Sequence, residues 1–450
     1  MRHYSILLAA LLATSLFSCK KDTDTLAPET PVAPPATDKM KDSVALIARD
    51  LYLWYDQIPA GFDPQSYDDP NEIMTALRQY STEPGFTGPV DRWSFAMDQA
   101  AWDDISSGIS GDFGLGVFFR QATDLRVKHV EAASPAGRAG IRRGWRIKAI
   151  NGNTGISSSN TDFVVETVFN SSSTKFTFEK PDGSTSDITL NAATYREQPV
   201  VLDTVYSVGG KKAGYFVFNS FLGDTTQIYN EFNRVFNRFA GAGVTDLIVD
   251  LRYNGGGYVS VQSKLANYLV PASGNGGLMM RQQFNNRYSE FNEDENFRKL
   301  GNLNVNRIFF IVSKSTASAS ELLINNLQPY VDIQVVGPAS TYGKPVGYFP
   351  IPVGNWYIFP VSFRTVNKSG QGNYFGGIPV NGQAADGLDK DWGDVTESSL
   401  ASALSYISSG SFRTVIAARG AQQRSEVIPG NATLEERTFK GAVDTRARFR

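Results

Sequence analysis

Residues 314–323 read KSTASASELL, three serines separated by alanine and threonine ahead of an acid and an apolar run. Ser318 followed by Glu321 fits a capping box, S-x-x-E, and on the motif alone helix capping is the better reading. A serine at a helix N-terminus also sits beside unsatisfied N–H groups that can stabilise an oxyanion, and the alanines at 317 and 319 leave room for a substrate. Such a serine needs a base. The chain has two histidines. His3 lies at the extreme N-terminus, and His129 sits in DLRVKHVEA, whose alternation reads as a strand with a satisfied histidine. A neutral lysine can serve instead if burial lowers its pKa by several units from about 10.4. Lys344, in GPASTYGKPVGY (337–348), follows a strand and a glycine. A third stretch, DLRYNGGGY (250–258), puts three glycines after a buried strand, so that backbone N–H groups can approach a ligand closely. It lacks the Lys-Ser/Thr ending of a phosphate loop.

These loops need a scaffold that brings them to one place. Around them, strand-like runs (214–221, 244–251, 307–313, 332–337) alternate with helical ones (224–240, 260–270, 320–328). That alternation implies a mainly parallel sheet, in which loops leaving the strand C-termini share an edge. Ile228, Phe232, Val235, Phe236 and Phe239 form one helical stripe. NWYIFPVSFRTV (355–366) adds β structure, and 396–407 closes the unit as a helix. The last 40 residues are arginine-rich and weakly patterned and read as a loose tail.

Upstream, residues 40–105 read as a small helical unit, with Val44, Ile47, Leu51, Trp54 and Tyr55 on one face and Trp54, Trp93 and Trp102 as core and interface residues. Residues 106–197 are β-rich with glycine turns. Their GLGV (114–117) and SPAGRAGI..GWRIKAING resemble a PDZ domain. That resemblance implies that the chain at Leu115, Gly116 and Val117 offers N–H groups to a peptide's terminal carboxylate, the peptide adding as a strand to a sheet edge.

The N-terminus, MRHYSILLAALLATSLFSC, has a basic start and an apolar stretch too short to span a bilayer. LFSC (16–19) resembles a bacterial lipoprotein cleavage site, with Cys19, the sole cysteine, as the lipidated residue. Residues 20–39 carry four prolines and read as a tether. The expected setting is the cell envelope, periplasmic or outer-membrane, with a lipid anchor. One histidine in the mature chain excludes zinc sites of the two- or three-histidine type. A net charge of −2 without a basic stripe argues against nucleic acid. The acidic clusters NEDEN (292–296) and DGLDKDWGD (386–394) lack calcium-loop spacing and read as solvated loops.

DLRYNGGG, STASASELL and VVGPASTYGK, in that order behind a PDZ-like segment, resemble the tail-specific (C-terminal processing) serine peptidases of a Bacteroidetes-type lipoprotein subgroup. The resemblance covers roughly 106–408 and implies a multidomain α/β fold: a helical N-terminal domain, a PDZ-like domain (106–197) and a crotonase/ClpP-like α/β core (198–408). It implies Ser318 as nucleophile, Lys344 as base, the amides of Ala319 and Gly256 as oxyanion hole, and Glu321 as a carboxylate supporting the dyad or merely capping. It implies no cofactor, and polypeptide substrates engaged through their C-termini. Two features depart from the family: Tyr348 stands where a glutamine is common, and the loop before Lys344 is one residue longer. Two rivals remain: an inactive peptide-binding lipoprotein, and a penicillin-type acyl enzyme built on SSTK (172–175), which lacks a K-T-G partner.

Overall fold

The structure, a computed structural model, describes residues 36–413, 431, 433–434 and 439–446. The expected signal segment, Cys19 and most of the stretch expected to be a tether lie outside the described residues. The tether's end is already helical, because α1 (Ala36–Leu51) starts there. Val44, Ala48 and Leu51 form its buried face, while Trp54 and Tyr55 fall beyond its end rather than on its stripe. α2 (Pro70–Leu77) begins at Asp69, whose side chain accepts the Glu72 N–H, with proline in the first turn. β1 (Phe95–Asp98) and α3 (Gln99–Ser107) follow. This leading unit does not close on itself. β1 pairs antiparallel with a strand some 260 residues later, and Tyr52, Trp54, Trp93 and Trp102 share a core cluster with Val346, Tyr348 and Phe359.

The middle unit is entered and left through a small pair, β2 (Ile109–Ser110) with β8 (Tyr195–Arg196). Between them runs an antiparallel sheet in chain order: β3 (Leu115–Gln121), β4 (Asp124–Val130), β5 (Arg146–Ile150), β6 (Ser173–Glu179) and β7 (Thr185–Asn191). β3 alternates, with Leu115, Val117 and Phe119 inward, and it forms one edge of the sheet. The short helices α4 (Pro135–Arg138) and α5 (Thr161–Val165) cover it, Val164 closing the core beside Phe176 and Phe178.

The third unit is built on the sheet that the alternating pattern implies. β9 (Val200–Val208) is its antiparallel edge; β10 (Lys211–Phe218) and β11 (Asp246–Asp250) run parallel, separated by α6 (Thr225–Gly241). The predicted phenylalanine stripe of α6 is its buried face. The chain continues through β12 (Gly256–Tyr258), α7 (Val259–Leu269), β13 (Leu278–Phe284) and β14 (Glu293–Asn296). It then adds parallel β15 (Arg307–Ile311), α8 (Ala319–Leu327) and parallel β16 (Asp332–Gly337). α6, α7 and α8 contribute to one apolar layer against the sheet, and α9 (Ser398–Ser409) packs on the other. Since β11, β15 and β16 are parallel neighbours, the three glycine-, serine- and lysine-bearing loops leave the same edge.

A second sheet lies over that edge. β17 (Val346–Tyr348), β18 (Ile351–Val353), β19 (Trp356–Phe359), β20 (Val361–Val366) and β21 (Gly382–Gln383) follow in the chain, and β21 joins the first sheet. The second sheet has the order β12-β22-β17-β20-β13-β14, where β22 is Gly441–Val443. The expectation of a loose tail is therefore corrected: its described residues include a buried strand, with Val443 and Asp444 covered and Asp444 bonded to Gln282 and Arg446. The acidic clusters are corrected too. NEDEN supplies strand β14, and Asp386 of DGLDKDWGD is an ion-pair partner rather than a solvated loop residue.

Candidate active site

The loop after β15 is tied to the loop after β11 by a ladder of short bonds. Thr316 Oγ1 donates to Leu251 O (2.7 Å), the Ala317 N–H to Asn254 O (3.1 Å), and Ser320 Oγ to the same carbonyl (3.1 Å). Asn254 in turn donates to Phe218 O at 2.9 Å, anchoring the glycine stretch to the end of β10. Ser320 thus has a structural bond that holds the two loops together, and Ser315 lies buried in the same turn, its N–H on Ser313 Oγ.

This packing delivers Ser318 in an unusual state. It is the residue before α8, with φ +58° and ψ −107°. A left-side φ in a residue with a side chain costs on the order of 1–3 kcal/mol unless the surroundings impose it. Among the described residues other than glycine, only Asn151 shares the sign. Ser318 Oγ is buried without a hydrogen-bond partner. The Ala319 N–H opens the helix and has no acceptor within it.

Glu321 imposes that geometry. It is fully buried, and its carboxylate accepts the N–H of Ser318 (2.8 Å), the N–H of Gly343 (2.6 Å), the N–H of Lys344 (2.8 Å) and the hydroxyl of Thr341 (2.5 Å). Burial pushes its pKa up from the usual carboxylate range, against the pull of these donors. One carboxylate therefore fixes the backbones of both the serine and the lysine loops. A further bond, Tyr342 N–H to Thr316 O at 2.9 Å, runs beside it.

Lys344 is buried at 1% exposure. Burial pushes its amine well below the ordinary lysine value, the charges of Asp91 and Glu321 oppose the fall, and Arg78 and Lys440 add to it. Its Nζ lies 3.8 Å from the centroid of the Tyr348 ring and donates to Lys440 O at 2.9 Å. The Tyr348 hydroxyl donates to the same carbonyl at 3.0 Å. Tyr348 thus offers the lysine an aromatic face instead of an amide. Ser318 and Lys344 come to one buried site through Glu321, with the lysine's hydrogen bond going to Lys440 O and none to Ser318.

Gly256 is corrected in its role. Its N–H donates to Asn254 Oδ1 at 2.9 Å, so this amide is already engaged. What Gly256 provides is space: at φ +108°, a Cβ would stand 2.3 Å from Gly441 O and 3.0 Å from the Ala319 nitrogen. The remaining sequence candidates, Leu115, Gly116 and Val117, lie on β3 of the middle unit, apart from the serine. His129 is bonded to Glu131 at 2.6 Å and to Asn219 at 2.8 Å. Among the described residues no cluster of His, Cys, Asp or Glu could hold a metal ion.

Two groups escaped sequence reasoning. Asp91, from the leading unit, is buried and accepts from Tyr52 (2.7 Å) and from Trp93, Ser94 and its hydroxyl, and it is the foremost charge acting to raise Lys344. The D-x-W-S spelling at 91–94 hints at a turn but not at its destination. The other is an ion-pair hub. Arg143 of the middle unit donates to Asp386 (2.7 Å) and to the Tyr253 hydroxyl (2.6 Å), and Arg252 donates to Asp386 (3.0 Å), Glu397 (2.8 Å) and Asp250 (2.7 Å). Burial alone would raise Asp386, but the two guanidinium groups hold it below the usual carboxylate range. The hub joins the middle unit to the root of the glycine loop.

Known proteins resemble this chain in sequence and in fold. The "Probable CtpA-like serine protease" of Staphylococcus aureus (strain N315) is 27% identical over 259 residues, 57% of this chain and 49% of that protein. Its namesake in Staphylococcus saprophyticus subsp. saprophyticus is 24% identical over 257 residues, 56% and 49% respectively. The chain spans about half the length of these curated relatives. A solved structure described as an S41 protease, from Bacteroides fragilis NCTC 9343, shares the fold at a TM-score of 0.65 and 24% identity, over 81% of this chain and 97% of that one. Residues 41–95 match the peptidase S41 N-terminal domain and residues 212–378 match peptidase family S41, in that order. Over these two segments the chain resembles peptidase family S41, and it shares the fold of the solved S41 structure.

Proposed function

We propose that this chain hydrolyses peptide bonds with Ser318 as nucleophile and Lys344 as general base. The observation that carries the reading is the shared clamp: one buried carboxylate holds a strained serine with an unpartnered hydroxyl and a desolvated lysine in adjoining loops. The neutral Nζ takes the Ser318 proton as Oγ attacks the substrate carbonyl. Negative charge develops on the carbonyl oxygen beside the Ala319 N–H and the positive end of α8. The protonated amine then gives its proton to the leaving nitrogen, and water releases the acyl group. For this, Nζ exchanges Lys440 O for Ser318 Oγ.

The middle unit, in this reading PDZ-like, receives a substrate chain end along β3 at Leu115–Val117. A lipid on Cys19 and the proline-rich tether would hold the peptidase in the cell envelope. The test is cleavage of an unfolded protein by the wild type, Ser318→Ala and Lys344→Ala across pH. Both variants are expected to be inactive, and wild-type cleavage should fall as pH drops and Lys344 takes up a proton. A second reading, a peptide-binding protein without hydrolysis, draws on the lysine's bond to Lys440 O. It requires that Ser318→Ala change nothing.

A further inference from the structure

Lys344 stands beside two aromatic rings that come from different units. The Tyr348 ring centroid is 3.8 Å from Nζ, and the ring of Trp93, from the leading unit, is 5.7 Å from it. Both residues are buried. Tyr348 packs edge-on against Phe95 and Phe359, at ring-centroid distances of 5.7 and 5.5 Å. Trp93 stacks on Phe375 at 6.1 Å, and its backbone N–H donates to Asp91 Oδ1 at 2.8 Å. Its indole N–H is buried and has no acceptor among the described residues. A phenylalanine there would be free of that desolvation cost. What tryptophan adds is the ring face that attracts a cation most strongly.

The amine has little else around it. Among the described residues Nζ makes one hydrogen bond, to Lys440 O at 2.9 Å, and no ion pair. In the hydrolytic reading Nζ gives up that carbonyl and takes the proton of Ser318 Oγ. It then stays a cation until it passes the proton to the leaving nitrogen. Once the carbonyl is given up, the two negative ring faces remain beside the buried charge. The charged groups acting on it from the packed elements are Asp91 and Arg78 of the leading unit, Glu321 of α8, and Lys440. Arg92 lies over Trp93 and Tyr342, 5.2 Å from each ring.

We infer that Trp93 and Tyr348 are positioning residues for the base: their ring faces hold the Lys344 cation that proton transfer creates, which makes the leading unit a working part of the active site. The inference rests on the hydrolytic reading for its effect on rate, but not for the contact between rings and cation. Tyr348 acts by its face rather than its hydroxyl, since the hydroxyl is engaged with Lys440 O at 3.0 Å. Being closer to Nζ, Tyr348 carries more of the effect than Trp93.

The test uses the full chain with Tyr348→Phe and, separately, Trp93→Phe, each paired with pentafluorophenylalanine at the same position. The two side chains of a pair have nearly the same shape, but fluorination reverses the charge of the ring face. Folding is therefore matched within each pair, and the charged neighbours stay as they are. Cleavage of reduced, carboxymethylated α-lactalbumin is followed across pH. Relative to Tyr348→Phe, the fluorinated chain should lose about tenfold in kcat with little change in KM. Its acid limb should move about one pH unit lower, because a disfavoured cation holds its proton less firmly. The pair at position 93 should show the same signs at about threefold. A merely structural role would leave the acid limb in place. A fixed limb, a limb that moves up, or equal rates within each pair overturns the inference. A second readout needs no cleavage. In the same chains carrying Ser318→Ala, the pH at which the melting temperature begins to rise marks the titration of Lys344. Fluorination at position 348 should lower it by about one pH unit. That drop, in chains whose Ser318 parents cut nothing, would sink the hydrolytic reading and leave the ring contact standing.

Discussion

Glu321→Gln keeps the shape of the clamp and removes half of its accepting power. In the wild type, one carboxylate oxygen receives the Thr341 hydroxyl and the Gly343 N–H, and the other receives the N–H groups of Lys344 and Ser318. A glutamine must put its NH₂ on one side. Placed where the second oxygen was, it faces two N–H donors. Placed where the first was, it faces the Gly343 N–H, while the Thr341 hydroxyl already accepts the Ile378 N–H at 2.7 Å. Either way one or two buried donors are orphaned, at about 1–3 kcal/mol each. Relief of the buried charge returns part of this, so a net loss of roughly 2 kcal/mol is expected. The urea midpoint should fall with an unchanged slope. Because both loops hang from this group, kcat should drop about 100-fold, the cost of a misplacement near 1 Å. The charge of Glu321 also helps to raise Lys344. Its removal lets the amine fall further, so the acid limb of the remaining activity should move to lower pH. An unchanged midpoint and rate, or an acid limb that moves up, would refute the clamp.

Three other outcomes are expected. Ser318→Gly should abolish cleavage and stabilise the fold by about 1–3 kcal/mol in urea unfolding, since it relieves a positive φ and removes an unpartnered hydroxyl; a destabilised variant would contradict the strain. Lys344→Met should abolish cleavage and flatten the pH dependence of stability. With its folded pKa lowered, Lys344 leaves the unfolded chain binding more protons, so wild-type stability should rise with pH from the lowered value up to about 10.4 and level off above it, a rise that melting temperatures should not show in the methionine variant. Asp386→Ala leaves Arg143 and Arg252 facing each other in the hub, and should cost about 3–5 kcal/mol in the same unfolding assay; a loss below 1 kcal/mol would mean that water replaces the carboxylate.

Local patterning exposed the scaffold because each element there answers to its own residues. The stripe of α6 and the glycines after β11 are readable without knowing what they meet. What stayed hidden depends on chain crossings. Asp91 acts on Lys344 although 253 positions separate them, and β22 reaches the site from a stretch whose arginines suggest no core at all. Gly256 shows a subtler limit. Its type was informative, but sequence could not say that Asn254 would claim its N–H and leave the residue's role as clearance. Asp386 fails the same way: in an acidic run its isolated charge reads as solvated, until two buried guanidinium groups, Arg143 of the middle unit and Arg252 beside the glycine loop, converge on it.

The choice posed by S-x-x-E, cap or nucleophile, dissolves in the geometry. An ordinary cap satisfies a helix end and stops there. Here the acid half of the box is formed, with Glu321 accepting the Ser318 N–H, yet the same carboxylate reaches a second loop and gathers the N–H of Lys344. A cap that served only α8 would have no need of the second loop, and a relaxed serine would do. The strain at Ser318 and the orphaned Oγ are costs that folding alone does not require. Capping and catalysis therefore use one set of bonds, and a substitution chosen to remove either must disturb both.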